Sequence, residues 1–208
     1  MTMADKPLPP SPPEGAEVLE QQGIEMLVHT FHSSADPTLR RYAVYLLGKS
    51  GDPAALRPMV EALADPEKSV REQAMLSLVD SGKSAIGPLT DALAKEPAWQ
   101  ARYRAAEALG KLADDQVLQP LIRGLTDNRD HVRYMAAKGL KGLGDSRAVD
   151  PLIILLADEN RVVRMMTVRA LSAIGGDKAR AALEAACATE TDAEVKDIIR
   201  QVLGLTRT

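Results

Sequence analysis

The chain has 208 residues, 45% hydrophobic and 26% charged, a globular composition with enough apolar material to bury a core. Only 3% is aromatic, so the core must come from Leu, Val, Ile and Ala, which suits close-packed helices and disfavours an all-β fold. A net charge of -3 and a pI near 5.7 give no general drive toward nucleic acid, the single cysteine excludes an internal disulfide, and no apolar run approaches the roughly 20 residues that span a bilayer.

Residues 1–15, ending Pro7-Leu8-Pro9-Pro10-Ser11-Pro12-Pro13-Glu14-Gly15, cannot form a regular helix and are expected to be a flexible, extended leader. No basic-led apolar run resembles a signal peptide, which predicts a cytoplasmic protein. From about Glu17 a first helix is expected, interrupted at Gly23.

A fixed stride then takes over. Arg40, Arg71, Arg102, Arg133 and Arg164 stand 31 residues apart. Three places on comes Ala43, Ala74, Ala105, Ala136 or Thr167, and seven places on Leu47, Leu78, Leu109, Leu140 or Leu171. Pro58, Pro120 and Pro151 precede their arginines by thirteen residues and Pro88 by fourteen, the extra residue falling near Trp99. Each unit parses into two helices, as in Gln116 to Thr126 followed by His131 to Leu143, with apolar residues at helical spacing in both. Asp36-Pro37 and Asp65-Pro66 read as N-caps with proline at the first helical position, and Gly51-Asp52, Gly144-Asp145 and Gly176-Asp177 as stop-and-start turns.

A hairpin of this size cannot bury both apolar faces alone, so neighbours must stack. The expected architecture is an all-α, right-handed α-α superhelix of about six hairpins forming one domain, residues 16–208, with units at 16–52, 53–83, 84–114, 115–145, 146–177 and 178–208. The last has Val195 where the arginine should be and reads as a terminal cap. The arginine column, with Asp65, Asp127 and Asp158 recurring six positions before Arg71, Arg133 and Arg164, is expected to form a structural ladder of arginine, carboxylate and carbonyl contacts between units rather than a phosphate site.

The run Asp130-His131-Val132-Arg133 through Asp145, Ala148, Val149, Pro151 and Leu152 resembles the HEAT-like repeat named after phycobilisome lyases, and the resemblance extends from Gly23 to about Leu205. It implies a HEAT-type α-solenoid whose second helices line the concave side. Of the enzymes built on this repeat, deoxyhypusine hydroxylase binds iron through His-Glu dipeptides, whereas His29, His32 and His131 are followed here by Thr30, Ser33 and Val132. Bilin lyase subunits offer no short signature to match.

Residues one, two, five and nine places after each arginine are expected to face away from the core. They include Arg41, Tyr42, Tyr45, Lys49, Tyr103, Arg104, Lys111, Tyr134, Met135, Lys138, Met165, Met166 and Arg169, and hold all four tyrosines. Tyrosine and methionine offer large or adaptable contact area, so this set is the candidate partner-binding face. With Glu72, Asp80 and Glu107 counted, the face carries +3, which an acidic protein surface would complement.

No metal or cofactor is expected. His29 and His32 have no third ligand in a recognisable pattern, and Cys187 has no histidine in its own unit. Trp99 reads equally as a functional departure from the repeat and as a hydrophobic plug. These residues point to a non-catalytic protein-binding scaffold, monomeric or weakly self-associating. The alternatives are a phycobilin-lyase-like or chaperone-like subunit holding a prosthetic group and, third, nucleic-acid binding through the basic residues of the same face.

Overall fold

The computed structural model describes residues 11–13 and 16–205. The leader expected at 1–15 lies outside the described residues apart from 11–13. Among the described residues there are thirteen α-helices and no strand. The chain divides into two compact units, Met1–Pro88 and Leu89–Thr208.

The first unit holds α1 (Ala16–Glu20), α2 (Ile24–Ser33), α3 (Pro37–Ser50), α4 (Leu56–Glu61) and α5 (Lys68–Asp80), and ends as α6 (Ile86–Lys95) begins. Local chemistry sets the boundaries of α3. The Asp36 carboxylate accepts the Thr38 N–H at 2.8 Å, Pro37 sits at the first helical position, and Gly51 closes the helix in the left-handed region at φ 67°. α2 packs on α3 and α4 on α5, and α3 and α5 lie against each other. Ala43, Leu47, Ala74 and Leu78, three and seven places after their arginines, are wholly buried.

The second unit continues through α7 (Trp99–Leu112), α8 (Leu118–Gly124), α9 (Asp130–Leu143), α10 (Val149–Leu155), α11 (Arg161–Ile174), α12 (Asp177–Thr189) and α13 (Ala193–Leu203). Its second helices run α7 on α9 on α11 on α13, and α8, α10 and α12 pack on α9, α11 and α13. Leu109, Ala136, Leu140, Thr167 and Leu171 are fully buried. In the terminal hairpin, Val195 occupies the arginine's place with 1% exposure, as an apolar core residue.

These first helices open in two steps: a 3₁₀ turn at Pro53–Ala55, Gly82–Ala85, Asp115–Val117 or Ser146–Ala148 hands over to α-helix two residues before Pro58, Pro88, Pro120 or Pro151. The proline therefore falls in the first α-helical turn, where a missing N–H forfeits no intrahelical bond. Ala113 ends α7 at φ 49°, a left-handed position filled elsewhere by glycine. Among the described residues no helix is long and apolar enough to cross a membrane.

Candidate partner-binding face

Within the first unit Arg40 donates Nε to Asp65 Oδ2 at 2.8 Å and Nη2 to Oδ1 at 3.0 Å, while Nη1 reaches the Ser34 carbonyl at 3.1 Å. In the second unit Arg102 grips Asp127 at 2.7 and 3.0 Å, and Arg133 grips Asp158 at the same distances. Arg164 holds Glu190 at 2.9 and 3.2 Å. Each carboxylate also accepts the backbone N–H two residues on, as Asp158 does from Asn160 at 2.8 Å. Asp127 and Asp158 offer their carbonyls to the next arginine, Arg133 and Arg164, at 2.9 Å. Arg71 donates to the carbonyls of Asp65 and Pro66 at 2.6 and 2.7 Å and, among the described residues, has no carboxylate partner. The bond to Asp158 raises the pKa of Arg133 against the opposing effect of burial, so the guanidinium stays charged.

The seam between successive second helices decides which columns stay open. A Cβ placed on Gly110 would stand 2.8 Å from the Gly139 Cα, and one on Gly48 would stand 2.6 Å from the Ser77 Cβ. The residue eight after one arginine thus meets the residue six after the next. This contact swings the column two after the arginine toward the preceding helix.

The expectation of an exposed column at that position is corrected: Met135 and Met166 are 4% and 5% exposed, and Arg104 is tied to Glu107 at 2.6 Å with both side chains largely covered. Tyr42, in the first hairpin, is buried beside α1, and its hydroxyl donates to the Glu20 carboxylate. That bond and then burial push the Tyr42 pKa up to about 12.

The other columns remain accessible. Lys49, Lys111, Lys138 and Arg169 are exposed, and Arg41, Tyr45, Tyr103, Tyr134 and Met165 are half-buried. On α7, α9 and α11 the residue following the arginine is Tyr103, Tyr134 or Met165, so one large side chain per layer recurs in the same register. Between α7 and α9 the two glycines leave a shallow pocket of about 130 Å³, lined by Ala106, Glu107, Gly110, Lys111, Met135, Lys138 and Gly139.

Trp99 lies between the Arg129 guanidinium, 5.2 Å from its ring, and the His131 imidazole at 5.1 Å. His131 is bonded to Asp130, which also accepts from Asn160. The His131 bond, outweighing burial, and the bond from Asn160 lower the Asp130 pKa. His32 meets Glu61 at 3.1 Å. Cys187 is half-buried in α12. Among the described residues no group of three or more His, Cys, Asp or Glu is arranged to hold a metal.

Layered helical hairpins locked by an arginine ladder define an α-solenoid, and the sequence pattern of HEAT repeats matches residues 24–110, 86–162 and 118–204. The chain belongs to the HEAT-repeat family. No curated protein matches it. Among solved structures it is similar to the complex of CpcE and CpcF of phycocyanin lyase from Nostoc sp. PCC7120, with 21% identity, TM-score 0.65, and 73% of this chain and 99% of that one covered. Human deoxyhypusine hydroxylase in complex with glycerol is similar at 26% identity and TM-score 0.52, covering 88% of this chain and 73% of that one. A designed armadillo repeat protein in complex with the peptide (KR)4 is similar at 19% identity and TM-score 0.54, covering 89% of this chain and all of the other.

Proposed function

We propose that this chain is a non-catalytic protein-binding module that takes its partner on the face formed by its second helices, the side that the resemblance makes concave. The observation that carries this is the repeated presentation of Tyr103, Tyr134 and Met165, each half-buried and in the same register on α7, α9 and α11. Half-buried aromatic and methionine side chains are held by their surroundings yet stay partly accessible, which lowers the ordering cost of binding. A designed armadillo repeat protein of similar fold is in complex with a peptide, which supports a peptide-like partner for this chain.

The test is capture from native cell extract by the purified chain, compared with a Tyr103→Ala, Tyr134→Ala double variant of unchanged helicity. Loss of the captured protein is expected. Undiminished capture, or uptake of a bilin or haem with visible absorbance, overturns this function.

A further inference from the structure

The charges on this face do not cancel, and their pairing shows what the occupant should carry. On α7, Glu107 is consumed by Arg104 at 2.6 Å, with only 18% and 13% of their side chains exposed. Lys111 on the same helix, Lys138 on α9 and Arg169 on α11 are exposed and, among the described residues, none has a carboxylate partner. The acid is neutralised from within, and three cations on successive layers are left over. Lys111 and Lys138 line the same pocket as Gly110, Met135, Gly139 and Glu107, whose carboxylate is already held by Arg104. A side chain entering there meets apolar surface, two ammonium groups and one carboxylate that is paired, so an apolar residue alone would leave the lysines unanswered and a basic one would meet two like charges.

Resting on the docking face proposed above, we infer that its occupant is an acidic peptide segment. One carboxylate lies between Lys111 and Lys138, a second lies beside Arg169, and apolar residues of the segment pack on Tyr103, Tyr134 and Met165. The chain as a whole is net negative, so the attraction is local and acts within the roughly 8 Å over which physiological salt leaves charges unscreened.

The experiment is selection of a random linear peptide library, displayed on phage, against the full chain. Synthetic copies of the winners are then titrated by fluorescence anisotropy against the wild type, Lys111→Glu with Lys138→Glu, and Tyr103→Ala with Tyr134→Ala. The expected winners are rich in Asp and Glu, weaken with added salt, and bind the charge-reversed variant about tenfold or more weakly. Both lysines are exposed, and circular dichroism verifies that the variants fold. Winners without acidic enrichment, or acidic winners indifferent to charge reversal, that are still abolished by the tyrosine pair overturn the acidic occupant and leave the docking face standing. Winners indifferent to both variants, or an empty selection, overturn both.

Discussion

Arg133 and Asp158 stand twenty-five residues apart in the chain and face one another through two parallel hydrogen bonds of 2.7 and 3.0 Å, with 10% and 4% of their side chains exposed. A buried ion pair is poor at adding stability but costly to break, because the survivor is left charged and unmatched. Asp158→Ala should therefore lower stability by about 3–5 kcal/mol, Asp158 also being the acceptor for the Asn160 N–H. Glu184→Ala, which breaks the exposed pair with Arg180, should cost no more than about 0.5 kcal/mol. Urea midpoints of the two variants test the contrast.

Where α7 crosses α9, Gly110 leaves no room for a methyl group. Gly110→Ala should cost about 1–3 kcal/mol, because the new Cβ meets backbone that cannot rotate away. Gly142→Ala, on the same α9 with nothing within 4 Å, should instead stabilise by about 0.5–1 kcal/mol through helix propensity. Opposite shifts in thermal midpoint would establish the seam.

Ala113 holds a left-handed backbone at φ 49° where Gly51 and Gly144 do the same work. Its Cβ crowds the following carbonyl at a cost of about 1–2 kcal/mol. Ala113→Gly should recover part of that, about 0.5–1 kcal/mol after the extra freedom glycine gains in the unfolded chain. Calorimetry on the purified variant is sufficient to detect it.

Tyr42 ties α1 to α3 as a neutral donor to Glu20. Because folding raises its pKa from 10.0 to about 12, its contribution is complete below pH 10 and is lost as pH climbs through 12. Absorbance titration should show a tyrosine component ionising near pH 12, and Tyr42→Phe should remove that component. The substitution should also cost about 1.5–3 kcal/mol, the worth of a hydrogen bond to a charged group.

Much of this architecture is legible along the chain because the stride marks equivalent positions: Ala136 and Leu140 lie in the core where their places after Arg133 put them. The carboxylate that answers each arginine is harder to find, since the side-chain partner of Arg133 is Asp158 in the following layer while the acid six places before it, Asp127, supplies only a carbonyl. Three of the four columns expected to be open are accessible. Tyr42, Met135 and Met166 are covered because the neighbouring helix crosses just there, and a helical wheel drawn for one helix carries no information about where its neighbour lies. The clue was available in Gly110 and Gly139, small residues in successive helices that mark a close crossing. Trp99 gave no sign of its partners, because Arg129 and His131 come from the next hairpin.

The ladder also bears on how such a chain can change its length. Donor and acceptor recur twenty-five residues apart from Arg40 to Asp65, Arg102 to Asp127 and Arg133 to Asp158. A gene segment encoding one whole period carries a donor for the layer after it and an acceptor for the layer before it. Splicing in a further copy, or excising one, would regenerate a matched joint at the scar, so growth and shortening by whole periods is the change this framework tolerates best.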